Sequence, residues 1–514
     1  MTIKRISGLG DIGVISDAMD GEIPENASSD ALNFRFGGGF AERFSGSAAV
    51  FGVPSVAPYG LMFYSSTLPY WIYMGLTKIY AVNGTTHTNV TRQTAGVDVD
   101  YTATAANVWT TGVIGGIAIV NNQTDDPQYW AGNTANNFAA VTAWPATTKC
   151  KAMRVYKNYL IALNITKAAG NFPHMVKWSH AADPGTMPTS WDETDPTKDA
   201  GETDLSDSQS VIVDGLSLGD NFIIYKERAY YSMEYIGAPF IFRFKKIYDG
   251  MGILTRNCVC ETPYGHVVLG QGDMYIHNGD KPVSLITDIV RSKIFTQMDS
   301  DNYVRAFVVA NHKKNEVWAC YPTTGSEVCN RAVVWNWQQK TITFRELQNF
   351  TCGNTGAIES SISGAWSADP DAWSEDTTTW AQNDTPAGEQ RCIFGASDLV
   401  LHLVDQQSKF NGETITGYIE RTGLSFGDPS ISKLIKGIRV HADGADGLPI
   451  TIRLGAAKSE SGGISWGSNI NYTIGQNDLA CSSVAGRFIA YRITTTTYLK
   501  LRTVEFTYQY KSQY

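Results

Sequence analysis

The feature that most constrains this chain is a recurrence. Between Gly215 and Glu346, short runs rich in Val, Ile, Tyr, Phe and Trp are separated by turns of Gly, Pro, Asn and Asp. The pattern returns about every 35–45 residues. The strand candidates are Asn221–Tyr225, Ala229–Met233, Phe240–Phe244, Asn257–Glu261, His266–Leu269, Asp273–Ile276, Ala306–Ala310, Glu316–Tyr321, Ala332–Asn336 and Thr341–Arg345. Roughly four short strands per period is the arithmetic of propeller blades. The expected fold is therefore all-β, a β-propeller of six or seven blades.

The flanks extend the series. Tyr59–Phe63, Pro69–Met74 and Lys78–Val82, with a turn at Asn83-Gly84, read as a blade over 56–92. A second spans 108–143, with the apolar run Val113–Val120 read as one buried inner strand. A third begins at Met153–Val155 and is followed by a long acidic, Pro-containing loop, 179–208, of the length that is usually functional or mobile. Ile286–Met298 has helical spacing and reads as a short helix between blades. Residues 391–405 supply one more unit. From about residue 406 the strands lengthen (Lys433–His441, Arg487–Thr494, Tyr498–Tyr510), which reads as a separate antiparallel sandwich. The expected domains are thus 1–52, an N-terminal docking segment and hairpin; 53–405, the propeller, with insertions at about 179–208 and 357–390; and 406–514, the β-sandwich.

Two stretches invite a binding role. Trp366, Trp373 and Trp380 recur every seven residues, but Gly364, Pro370 and Thr377-Thr378-Thr379 oppose a helix. They read as a compact surface loop with its tryptophans packed on the blades, or as exposed anchors for adhesion or subunit contact. Asp30–Phe36, Gly37-Gly38-Gly39 and Phe40–Gly46 read as a hairpin, either purely structural or an arm that docks on a neighbour. Asn33, Arg35 and Arg43 on it join the three tryptophans as candidate subunit or partner contacts.

Chemistry is not visible. None of the eight histidines has a zinc-protease spacing, and there is no nucleophile elbow or phosphate loop. Gly8-Leu-Gly10-Asp-Ile-Gly13 matches a dinucleotide fingerprint without the preceding strand that gives it meaning. Cys258 and Cys260 have no second pair at metal spacing, and the eight cysteines are too dispersed for a disulfide framework; Cys320 and Cys329 flank the turn Thr323–Ser326 and could face each other across a hairpin, but are expected reduced. Ser367-Ala-Asp369 and Ser374-Glu-Asp376 fall one residue short of a sialidase-type turn and lack its Gly. No catalytic, cofactor or metal residue is therefore assigned. A net charge of −9 argues against a general nucleic-acid binder, because counterion release requires cationic surface. The first residues lead into no apolar segment, so no secretory leader is expected, and no run of about 18 apolar residues could span a bilayer.

Taken together, Ile23-Pro24-Glu25-Asn26-Ala27, Asn33-Phe34-Arg35-Phe36, Gly39, Glu42-Arg43 and Gly46 resemble the opening of the tail nozzle, tail tubular or tail stabilisation proteins of short-tailed phages. Lys177-Trp178-Ser179, Asp183-Pro184, Trp191, Ile212–Gly215, Phe222–Glu227, Phe240–Phe244, the tryptophan loop and Gly486-Arg487-Phe488 follow in the same order. The resemblance implies a propeller subunit, six copies of which ring the tail axis beneath the portal and its adaptor as a conduit for the genome. It implies no enzymatic site and no cofactor. It implies as partners other copies of the chain, the portal adaptor, tail fibre, tailspike or needle, double-stranded DNA passing without sequence reading, and the host surface indirectly. It places the chain in the virion tail after assembly in the host cytoplasm. The competing reading is a tail adhesin that grips a host-surface glycan; a third, a secreted propeller enzyme, lacks a clustered acid–base set.

Overall fold

The computed structural model describes residues 2–65, 69–106, 108–358, 390–406, 409–443, 447–460, 462–475 and 480–511. Five four-stranded antiparallel sheets follow one another along the chain. Their strands are Gly60–Tyr64, Tyr70–Met74, Ile79–Asn83 and Thr86–Asn89 (blade one); Thr110–Ile114, Ile117–Asn121, Gln128–Trp130 and Ala139–Ala140 (two); Lys149–Tyr156, Tyr159–Lys167, Gly170–Trp178 and Gly201–Asp204 (three). Ile212–Leu218, Asn221–Lys226, Ala229–Gly237 and Ile241–Asp249 make blade four, and Val259–Thr262, Gly265–Leu269, Met274–His277 and Val283–Ser284 blade five. A seven-stranded sheet then contains two blades fused through one long strand, Ile342–Ala357. Its first part pairs with Cys329–Asn336 as the outer edge of blade six, behind Phe307–Asn311 and Glu316–Tyr321. Its last part, Phe350–Ala357, pairs with Gln390–Ala396 as the inner strand of blade seven. Val400–Val404 follows, and the outer strand of blade seven is Ser47–Ala49, from the other end of the chain. The first strands of successive blades lie side by side around an axis, and that of blade seven returns to that of blade one. The fold is a seven-bladed β-propeller.

Local sequence explains the blades. Second strands such as Tyr70–Met74, Ile117–Asn121 and Gly265–Leu269 are buried throughout, since neighbouring blades cover both faces, so they read as continuous apolar runs rather than alternating ones. That rule also explains one misreading. Val113–Val120 is not one strand but the end of one, a turn, and most of the next: Gly115 and Gly116 sit at φ 53° and 84°, a two-residue turn that only residues tolerant of positive φ can make. The helix is shorter than its periodicity predicts, Arg291–Gln297. The long loop 179–208 contains the outer strand of blade three, Gly201–Asp204. The loop is pinned by Trp178 Nε1–H donating to Asp199 O (2.7 Å) and by Lys177, which is buried between Glu193 and Glu202. Its residues are bound structure, not a free lid.

The second domain is a sandwich of two antiparallel sheets. One has the order Phe34–Gly37, Phe40–Arg43, Lys500–Tyr510, Lys433–Asp443, Ala480–Gly486, with Thr2–Ser7 also on Lys500–Tyr510. The other has the order Asp30–Leu32, Gly417–Leu424, Phe488–Thr495, Pro449–Ala457, Ser465–Thr473. The expected boundary between an N-terminal segment 1–52 and a sandwich 406–514 is therefore corrected. Strands from residues 2–43 complete the sandwich, and Ser47–Ala49 completes the propeller. Phe34 and Phe36 are fully buried, each contributing roughly 1.5–3 kcal/mol of apolar transfer. The glycines of the false dinucleotide fingerprint have a packing role: a Cβ on Gly10 would lie 1.9 Å from the Phe40 carbonyl oxygen.

Sandwich and propeller are joined by a buried charge cluster. Arg35, on the hairpin strand, donates from Nε and Nη2 to both carboxylate oxygens of Glu316 in blade six. Its Nη2 also reaches Asp405 Oδ1 (3.0 Å), just beyond the third strand of blade seven. Arg345 completes the set from blade six, 3.4 Å from Asp405, and the Phe44 ring lies between the two guanidiniums (4.3 and 4.7 Å). Trp318 Nε1–H donates to Glu316 and Asn311 Nδ2–H to Asp405 (both 3.0 Å). Burial pushes the Asp405 carboxyl up, but Arg35 and Arg345 more than offset this and hold it at about 2. Removing one member leaves an opposite charge stranded out of water. Arg35→Met should therefore lower unfolding stability by about 3–5 kcal/mol in urea titration at pH 7; a loss under about 1 kcal/mol would show that the cluster does not hold the domains together.

Candidate functional site: a blind axial funnel

Seven inner strands around an axis leave a channel, and one residue closes it. Asn257, at φ 60°, lies two residues before the inner strand of blade five and bonds to or beside four other blades. Its N–H donates to Asp214 Oδ2 in blade four (2.8 Å), its Nδ2–H to Trp109 O beside blade two (2.9 Å). Its Oδ1 accepts from Arg154 Nη2 of blade three (2.7 Å), and its carbonyl from Val308 N of blade six (2.8 Å). Arg154 in turn holds Asp214 through two hydrogen bonds (2.8 and 2.7 Å). Arg256, next in the chain, crosses to Gln123 Oε1 (2.7 Å) and the Lys151 carbonyl (3.0 Å). The propeller is stoppered at this end.

Among the described residues, what remains is a funnel of about 290 Å3 on the side away from Arg256. All seven inner strands line it, among them Leu61, Thr111, Leu216, Cys260, Phe307 and Thr355. Most of its polar side chains are already engaged: Asn354 Nδ2–H with Leu61 O, Thr351 Oγ–H with the Pro58 carbonyl, Thr355 Oγ–H with Ala310 O. Glu261 is exposed on the wall, and its carboxylate has no ion-pair or hydrogen-bond partner among the described residues. No cluster of three His, Cys, Asp or Glu side chains suited to a metal occurs among the described residues. Seven cysteines are free and buried; burial pushes the Cys352 and Cys392 thiols up to about 12, so they are neither nucleophiles nor ready ligands.

Beside the funnel, blades four and five share a buried hydrogen-bond chain whose direction can be assigned. Gly279 N–H donates to His277 Nδ1 (3.1 Å), so Nε2 of that ring carries the proton and donates to Tyr225 Oη (2.6 Å). The tyrosine hydroxyl then donates to His266 Nδ1 (2.8 Å), and His266 Nε2–H donates to Ser217 O (2.8 Å). Both rings are neutral. Burial lowers His266 to about 4; burial and then His266 lower His277 to about 3. A third buried ring, His402, is lowered to about 4 by burial and accepts or donates at Ser47 Oγ (3.2 Å), on the strand that closes blade seven.

The sequence-derived contact residues separate into two groups. Asn33, Arg35 and Arg43 are buried inside the chain and are not surface contacts. Asn33 bonds Glu346 (3.0 Å) and Thr416 O (2.9 Å), Arg35 sits in the charge cluster, and Arg43 Nη2 donates to Ile415 O (2.8 Å). Trp366, Trp373 and Trp380 lie outside the described residues. The chain ends that carry them, Ala357 and Gln390, are paired as the turn end of the inner strand of blade seven, on the funnel-mouth side. Sequence reasoning missed Arg154, Asp214, Asn257 and Glu261. Only an Asn outside an obvious turn hints at the first three, and nothing marks Glu261.

No protein-family model matches the chain, and no curated protein matches it. Among solved structures, the WD40 β-propeller domain of Doa1 aligns at 7% identity over 71% of this chain and 98% of its own (TM-score 0.36). YCF48 bound to D1 peptide aligns at 10% over 69% and 95% (TM-score 0.36). The extracellular domain of a one component system from B. thetaiotaomicron aligns at 8% over 90% and 63% (TM-score 0.40). These alignments are too loose to carry an argument about blades or function.

The histidines make a pH prediction. Unfolded imidazoles take up protons near pH 6.5, whereas these three resist until about pH 4, 3 and 4. Between those limits the unfolded chain binds more protons, so their contribution is full above about pH 6.5 and is lost as pH falls toward 3. Each group gives a slope of up to about 1.4 kcal/mol per pH unit. Urea midpoints should fall steeply from pH 7 to pH 5, and His277→Gln should flatten that fall. An unchanged slope in the variant would sink the assignment.

Proposed function

We propose that this chain is a structural virion protein, a subunit of the hexameric nozzle of a short phage tail below the portal and adaptor. The observation that carries the reading is where the resemblance to tail proteins falls. Asn33, Arg35 and Arg43, together with Phe34 and Phe36, are the residues that lock the hairpin between sandwich and propeller. The residues that carry the resemblance thus lie at the junction of the two domains rather than on the surface. The stoppered axis supports the same reading in a different way. A duplex cannot thread a propeller closed by Asn257 and Arg256, so a genome conduit built from this chain must run between subunits. The acidic balance suits a wall along which DNA slides, because cationic groups would hold phosphates by counterion release. The proposed partners are other copies of the chain, the portal adaptor and distal tail components.

Cryo-electron microscopy of intact particles, with the two-domain outline fitted to the tail, tests this directly. Six copies around the axis beneath the adaptor are expected. Copies at the tail periphery would favour the glycan-gripping adhesin, and absence from the particle would refute both. Changing acids that the ring turns toward its lumen to Lys should slow genome ejection; ejection at the normal rate would remove the electrostatic part of the proposal.

A further inference from the structure

The funnel presents an unusual balance of chemistry. Its floor is saturated: Arg154, Asp214 and Asn257 spend their polar atoms on one another and on the backbone. Its walls mix polar and apolar surface, with Leu61, Leu216 and Phe307 supplying apolar contacts. Against this, Glu261 offers an exposed carboxylate with no partner among the described residues. It lies four residues along the inner strand from Asn257, roughly 13 Å from the floor and near the mouth. Arg154, the one Lys or Arg among the described lining residues, is paired with Asp214, and His312 also lines the funnel.

We propose that the blind axial funnel is a binding site for an ammonium group carried on a short unbranched apolar body, with Glu261 as its counter-ion. An apolar stem can lie against Leu61, Leu216 and Phe307 without competing for the hydrogen bonds of the floor, and the charge meets Glu261, which has no partner among the described residues. A rigid wall is supplied by the stopper itself, so the site exists before the ligand arrives. The same chemistry can come from a free diamine or from a lysine side chain of a partner polypeptide. The inference rests on the funnel alone and stands or falls independently of the chain's place in a virion.

Ligand-observed NMR on the purified full chain tests it, with hexylammonium as the probe and hexanoate and hexanol as controls. Saturable binding of hexylammonium is expected, with hexanol at least about tenfold weaker and hexanoate absent. Glu261→Gln should weaken hexylammonium about tenfold or more, and Glu261→Lys should reverse the preference toward hexanoate; the side chain is exposed, so melting temperatures should stay at the wild-type value. Equal binding of hexylammonium by Glu261→Gln, or no saturation by the wild type, would overturn the proposal. Cadaverine and Nα-acetyl-lysine amide, titrated in parallel, separate the sources: preference for the diamine assigns a free ligand, preference for the amide a partner's lysine.

Discussion

The architecture depends on a neutral set of four buried charges. Arg35 comes from the hairpin, Glu316 and Arg345 from blade six, and Asp405 from the exit of the third strand of blade seven, and each is almost without contact with water. Desolvating such groups is unfavourable unless every one finds its partner, so the cluster tolerates only one arrangement of the two domains. Around it the apolar core runs without a break from Phe34 and Phe36 through Trp335 and Phe344 to Ile435 and Val504. The hydrophobic contact supplies the adhesion between sandwich and propeller; the charges set their registration.

A similar division holds at the propeller axis. Apolar second strands drive the blades together, but they would pack at several small rotations. Asn257 removes that freedom by bonding to blades on both sides of the axis at once. Glycines let the inner strands approach. A Cβ on Gly112, in the inner strand of blade two, would meet Val155 of the inner strand of blade three at 2.8 Å, so the close approach of these strands depends on the absence of a side chain there.

Much of this was legible in the residues. Strand composition and turn chemistry gave the blades, because both are local: the Asn83-Gly84 and Gly38-Gly39 turns lie where expected, with the glycines at positive φ. What escaped was non-local. The Gly115-Gly116 turn hid inside an apolar run because both flanking strands are buried, and periodicity cannot mark a boundary between two such strands. The contribution of residues 2–49 to both domains left no local trace, since their partners lie some 300 to 500 positions away, as in Arg35–Asp405 and Thr2–Tyr508. The funnel was invisible for the same reason: its seven walls are collected from the whole length of the propeller.

The strand Lys500–Tyr510 pairs with Thr2–Ser7, with the Phe40–Arg43 strand and with Lys433–Asp443. During synthesis the first forty-odd residues therefore wait for the last stretch of strand to emerge, and blade seven cannot acquire its outer strand independently of the segment that joins both domains. A chain interrupted before Lys500 has no finished sandwich, although Ser47–Ala49 is already present to close blade seven. Without Lys500–Tyr510, the strands Thr2–Ser7, Phe40–Arg43 and Lys433–Asp443 would each present an unpaired edge, the kind of surface that templates pairing with other chains.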